Sequence, residues 1–173
     1  EAFPCVDEPE AKARFTIIIT SDDAKDIILS NMPVEDEQIV GESKRVRFMQ
    51  TPPMSSYLVA FIASELVSYE TKSRHGVKIT AYATPAQNVS DLKIGGDFAA
   101  DVLDYYDDLF KVPYPLPKLD LVAIPDFDAG AMENWGLMTF REVAMLANEK
   151  SSTEQKIYIS TVIAHEISHM WFG

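Results

Sequence analysis

An α+β fold, β-rich in its first part and mixed helix and sheet in its second, is what this sequence predicts, on three observations. Short β-branched or alternating segments dominate residues 14–62, an amphipathic helical pattern fills 91–110, and a mostly apolar helical pattern ends in His165-Glu166-Ile167-Ser168-His169. With 173 residues, 47% of them hydrophobic, the chain can bury a core of its own.

Ala2-Phe3-Pro4-Cys5-Val6-Asp7-Glu8-Pro9 reads as a proline-bracketed loop with two acids, and 14–20 as a β-branched strand stopped by Ser21-Asp22-Asp23. Further strands are predicted at 26–29, 45–49 and 57–62, and Glu35-Asp36-Glu37 reads as a solvated turn. The pattern changes at Ser73-Arg74-His75-Gly76, which sets the expected boundary between residues 1–74 and 75–173. His75, alone beside a glycine, reads as a surface loop residue.

The second part starts with a strand at 77–83. The helix at 91–110 places Phe98, Val102, Tyr105 and Leu109 at helical spacing, with Asp97, Asp101, Asp104, Asp107 and Asp108 as its wet face. Asn88-Val89-Ser90 is a glycan-acceptor triplet, and Ser90 is also a candidate cap for this helix. Val112-Pro113-Tyr114-Pro115-Leu116-Pro117 is a rigid connector into a strand at 119–124. In the stretch from Pro125 to Gly136 the glycines mark places where backbone approaches something closely, and a strand follows at 137–140. Ser151 with Glu154 makes a capping box for the last helix.

That last helix carries the chemistry. Residues four apart on an α-helix share a face, so His165 and His169 can reach one metal ion, and zinc is the ion this His-Glu-x-x-His spacing points to. Glu166 stands beside them, able to take a proton from water activated there without being a ligand. The surrounding residues are apolar (Ile157, Val162, Ile163, Ile167, Met170, Trp171), and imidazoles in such a setting need a partner. Phe172 occupies the place where a metzincin needs glycine, which disfavours that subclass and leaves a third ligand, a carboxylate, to come from beyond Gly173.

Composition narrows the partners. A net charge of −12 leaves no basic stripe to neutralise phosphate, which argues against nucleic acid. The single Cys5 cannot form an internal disulfide, and no apolar run approaches the roughly 20 residues that span a bilayer.

Gly130-Ala131-Met132-Glu133-Asn134 ahead of His165-Glu166-Ile167-Ser168-His169 resembles the paired signature of the zinc aminopeptidases of the aminopeptidase N family, the gluzincins. Phe3-Pro4-Cys5 with Asp7-Glu8-Pro9, the run from Pro113 to Asp120, and Trp171-Phe172-Gly173 look like the same family. The resemblance implies that residues 1–74 are the latter part of an N-terminal β-rich domain and 75–173 the first part of a thermolysin-like α/β zinc peptidase domain. It implies one Zn2+ held by His165, His169 and a glutamate beyond Gly173, with Glu166 as general base. Gly130, Ala131, Met132, Glu133 and Asn134 would line the substrate cleft, Glu133 binding the free α-amino group of a peptide. An oxyanion-stabilising tyrosine and an upstream residue that helps bind the amino group would fall outside the chain. The 173 residues alone are therefore expected to have little or no activity, while the parent releases N-terminal residues.

Three alternatives stay open at this level. A thermolysin-like endopeptidase shares the helix motif without needing Glu133. An epoxide hydrolase of the leukotriene hydrolase type resembles Gly-Gly-Met-Glu-Asn at the loop, and Ala131 leans away from it. A binding module would keep the cleft and lose the metal. The resemblance implies either a plasma-membrane enzyme with its catalytic part outside, towards which the Asn88 triplet leans, or a cytoplasmic or secreted one.

Overall fold

The computed structural model describes residues 3–173, so Ala2 of the predicted first loop lies outside the described residues. The α+β expectation is met. The first part consists of β1 (Ile18–Ser21), β2 (Ile27–Ser30), β3 (Val34–Val40), β4 (Ser43–Phe48) and β5 (Phe61–Ser64). These strands make a three-stranded antiparallel sheet, β1-β4-β3, and a two-stranded one, β2-β5. The second part adds β6 (Val67–Lys72), β7 (Lys78–Ala83), α1 (Val89–Phe110), β8 (Lys118–Ile124), β9 (Ala131–Met132), β10 (Leu137–Arg141) and α2 (Thr153–Ser168). Its five strands form one mixed sheet in the order β6-β7-β8-β10-β9, parallel where β7 meets β8 and β8 meets β10.

Period-two alternation explains how this sheet is buried on both faces. Leu119, Leu121 and Ala123 of β8 point to the helix side, where they meet Leu92, Ala99 and Leu103 of α1 and Ile159, Ile163 and Ile167 of α2. Val122 points the other way and packs with Leu29 and Leu137, backed by Ile62 of β5. The two-stranded sheet of the first part therefore covers the face that the helices leave open. The turn at Ser73-Arg74-His75-Gly76 joins β6 to β7, so one sheet runs on both sides of residue 74. Among the described residues no helix is long and apolar enough to cross a membrane.

Several expectations are corrected. Glu35-Asp36-Glu37 is not a turn but part of β3, an exposed edge strand whose acids meet basic residues of β4: Asp36 stands opposite Arg47, Glu35 pairs with Arg47 at 2.6 Å, and Glu37 lies 3.9 Å from Lys44. Opposite charges across the strands offset the poor strand preference of acids, and a charged edge resists further pairing. The strand predicted at 57–62 divides into a 3-10 turn at Ser56–Leu58 followed by β5.

On α1 the apolar line through Tyr105 and Leu109 is wrong: they are 61% and 53% exposed. The buried face instead runs through Leu92, Gly95, Gly96, Ala99, Ala100 and Leu103. Hydropathy hides it because small residues carry it. A Cβ on Gly95 would come within 2.9 Å of the Met145 carbonyl, and one on Gly96 within 3.0 Å of the Tyr69 ring. Asp107, expected on the wet face, is buried and accepts the Tyr114 amide at 2.7 Å, which fixes the connector. Asp104 and Asp108 do lie outside, binding the amide and guanidinium of Arg74. Caps move too. Ser90 lies inside α1, with Asn88 in the cap position, and α2 is capped by Ser152, not Ser151, through the Gln155 amide at 3.1 Å.

The expected close approach of backbone occurs at Gly136 and not at Gly130. Gly136 has φ +72°, and a Cβ there would stand 2.2 Å from the Asn31 carbonyl, whereas a Cβ on Gly130 would meet nothing. A left-handed backbone costs a side chain about 1–2 kcal/mol, and the clash forces two packed segments apart. Gly136→Ala is expected to lower stability by about 3 kcal/mol, read as a shift of the urea midpoint. A loss under about 1 kcal/mol would contradict so tight a contact.

Candidate active site

α2 brings the motif to the surface with one side anchored. Ile159, Ile163 and Ile167 are fully buried, which turns Glu166 inward to 6% exposure and leaves His165 and His169 at the rim. The two imidazoles meet edge to face, their Nε2 atoms 3.2 Å apart. Nδ1 of His169 lies 3.3 Å from the Phe172 carbonyl. A carbonyl only accepts, so this contact is a hydrogen bond in the tautomer that protonates Nδ1, the one that leaves the Nε2 lone pair towards His165.

The end of α2 is held by an aromatic cluster that sequence reasoning missed as a unit. Trp171 packs against Tyr106 and Phe110 and donates from its indole to the Val112 carbonyl at 2.9 Å. The Tyr106 hydroxyl donates to the Ala164 carbonyl at 3.2 Å, next to His165. These contacts fix the turn that carries His169 and Phe172.

Glu133 reaches the same place from the sheet. Its neighbours Ala131 and Met132 form β9, in register with Phe140 and Thr139 of β10. β9 is the last strand of the sheet, so its outer edge has no strand partner among the described residues. Donor atoms of Glu133, Glu166 and His169 lie within 4.8 Å of one another. A cavity of about 220 Å³ opens beside Glu133, lined by Tyr57 and Leu58 of the first part and by Trp135, His169 and Trp171. A larger cavity, about 360 Å³, lies on the far face of the sheet and touches none of these groups.

The remaining loop residues divide by role. Gly130 is exposed, its carbonyl accepting from the Arg141 amide at 2.9 Å. Asn134 is buried and turned inward: it accepts from the Thr139 hydroxyl at 3.3 Å, and its carbonyl closes the turn to Leu137. Its side chain supports the loop.

Glu166 is electrostatically unusual. Its Oε2 is buried without a hydrogen-bond partner. Burial first, and the like charge of Glu133 second, push its pKa up to about 7, while His169 pulls the other way. A buried carboxylate with one unpartnered oxygen, close to the His169 imidazole and a second carboxylate, is poised to exchange a proton with something placed between them.

Comparison with known proteins finds matches for both parts of the chain. Residues 1–58 fit the Peptidase M1 N-terminal domain and residues 96–173 the Peptidase family M1 domain. The chain belongs to peptidase family M1. It is 47% identical over 99% of its length to endoplasmic reticulum aminopeptidase 1 of Rattus norvegicus. It is 44% identical over its whole length to aminopeptidase N of Lactococcus lactis, and 45% to probable aminopeptidase 2 of Sulfurisphaera tokodaii. The chain spans about a fifth of the length of these M1 relatives, 18% to 22%.

Proposed function

We propose that this chain supplies the zinc-binding helix and the amino-group site of an M1 metalloaminopeptidase that releases N-terminal residues from peptides. The observation that carries the reading is the bite of the histidine pair. Two nitrogens at about 2.0–2.1 Å from one tetrahedral zinc stand about 3.3 Å apart, and His165 and His169 hold theirs at 3.2 Å. Lone pairs that close repel unless a proton or a metal ion lies between them. The names of the relatives, aminopeptidases from an animal, a bacterium and an archaeon, support the substrate class.

Among the described residues, Glu133, Glu166 and His169 bring three potential ligand atoms within 4.8 Å of one another. We nonetheless assign the ion to His165 and His169, because their Nε2 spacing of 3.2 Å fits one tetrahedral zinc and leaves the Glu166 carboxylate free to act as base. A zinc ion bound there supplies Lewis acidity towards the scissile carbonyl and lowers the pKa of water towards about 7. Glu166 takes the proton from the attacking water and delivers it to the leaving amine, a task suited to a carboxyl with a raised pKa. Glu133 binds the peptide's ammonium. A unit pair at 4 Å is worth about 4 kcal/mol gross at an effective dielectric near 20, less after desolvation. The open edge of β9 can align the peptide as an added strand.

The test compares a peptide with its N-acetylated twin in the full-length protein, before and after chelation. The free peptide is expected to be cleaved at least about a hundredfold faster, with activity lost to the chelator and restored by zinc. Equal rates on the two peptides would instead favour an endopeptidase.

A further inference from the structure

Two polar side chains with no part in the chemistry above, one buried and one with 12% of its side chain exposed, grip the loop just after Glu133. Asn31, 1% exposed, follows β2. Its amide donates to the Leu58 carbonyl at 2.8 Å and the Trp135 carbonyl at 2.7 Å, and its Oδ1 accepts from the Ala60 amide at 3.0 Å. Lys118 opens β8. Its ammonium donates to the Ser30 carbonyl at 2.8 Å, to Asp120 at 2.7 Å and to the Gly136 carbonyl at 2.6 Å. A lysine has three donors, and all are used.

Two successive carbonyls, Trp135 and Gly136, are thus fixed from outside the loop. On the other flank, β9 pins Ala131 and Met132 to β10. Glu133 sits between two clamped ends.

Stability alone is a poor reason for this construction. Burial pushes the Lys118 pKa down and that of Asp120 up, against the attraction of each for the other. Apolar residues of similar size often serve a core as well as a buried ion pair does. They cannot orient two backbone carbonyls, however, and a leucine in place of Asn31 would leave the Trp135 carbonyl and the Ala60 amide without their Asn31 partner.

The geometry points to Asn31 and Lys118 as positioning residues for Glu133, which fix its carboxylate at a set distance from the His165–His169 pair. The inference rests on the amino-group reading of Glu133. It gives the β-rich first part a role in the reaction, since Asn31 and Leu58 belong to it. A carboxylate held in place needs no ordering when the peptide's ammonium arrives, and small displacements of such a group are costly.

The experiment uses Asn31→Ala and Lys118→Met in the full-length, zinc-loaded protein. It reads kcat/KM on the free and acetylated peptides, with zinc content and melting temperature alongside. The preference for the free peptide is expected to fall about tenfold, mostly through KM, with zinc content unchanged. The metal-free variants are expected to bind leucinamide more weakly by a similar factor in calorimetry. If Asn31→Ala does not fold, Asn31→Ser, which keeps one donor, carries the test.

A preference unchanged in the variants overturns the inference and leaves the aminopeptidase reading standing. So does an equal loss on both peptides, which would mark a purely structural role. A wild-type protein without any preference overturns the amino-group reading, and the inference with it.

Discussion

Glu166→Gln lowers kcat of the full-length protein by about 10²–10⁴-fold, the usual worth of a positioned general base, with zinc content unchanged. The substitution keeps the shape of a side chain that is 6% exposed and removes only its capacity to take a proton. An activity within about tenfold of wild type would sink the assignment of Glu166 as base. The same variant tests the electrostatics without any turnover. A carboxyl whose folded pKa lies near 7, above its ordinary 4.5, binds more protons folded than unfolded between those values. Its contribution to stability is therefore fully present below 4.5 and is lost as the pH rises through about 7. The metal-free protein is expected to melt at falling temperature across that window, and Glu166→Gln to flatten that part of the slope. An identical slope in the variant would show that Glu166 is not the group responsible.

Glu133→Ala reduces the preference for free over acetylated peptides by about 10²–10³-fold, the cost of losing one partner of a desolvated charge pair. The loss falls on the free peptide, through KM, and the acetylated one is cleaved no worse. Loss on both alike would mean that Glu133 shapes the cleft and does not read the amino group. A second effect has the opposite sense. Glu133 is one of the causes that hold the Glu166 pKa up, so removing it moves the acidic limb of the pH profile to lower pH.

Much of the site was legible in the chain because its chemistry is local. His165, Glu166 and His169 share a stretch of helix, and the rise and turn of an α-helix bring them together whatever the rest of the protein does. β4 announced itself through alternation, β8 as a short apolar run, and α1 through a 3.6-residue period. The family signature added Glu133, whose role no local pattern carries.

Tertiary structure alone decided what those faces meet. Periodicity tells which residues lie on one side of an element, not what covers that side. The glycine-and-alanine face of α1 therefore stayed hidden behind the louder Tyr105 and Leu109. Asp107 went astray because a charge reads as wet until its buried partner is seen, here the Tyr114 amide, and the acids of β3, exposed as expected, read as a turn until Arg47 of β4 is found across the ladder. The meeting of Glu133 with Glu166, the seat of Gly136 against Asn31, and the grip of Lys118 on two carbonyls join segments far apart in the chain. Local sequence specifies such groups one at a time; only the packing of a sheet between two helices and a second sheet sets the distances between them.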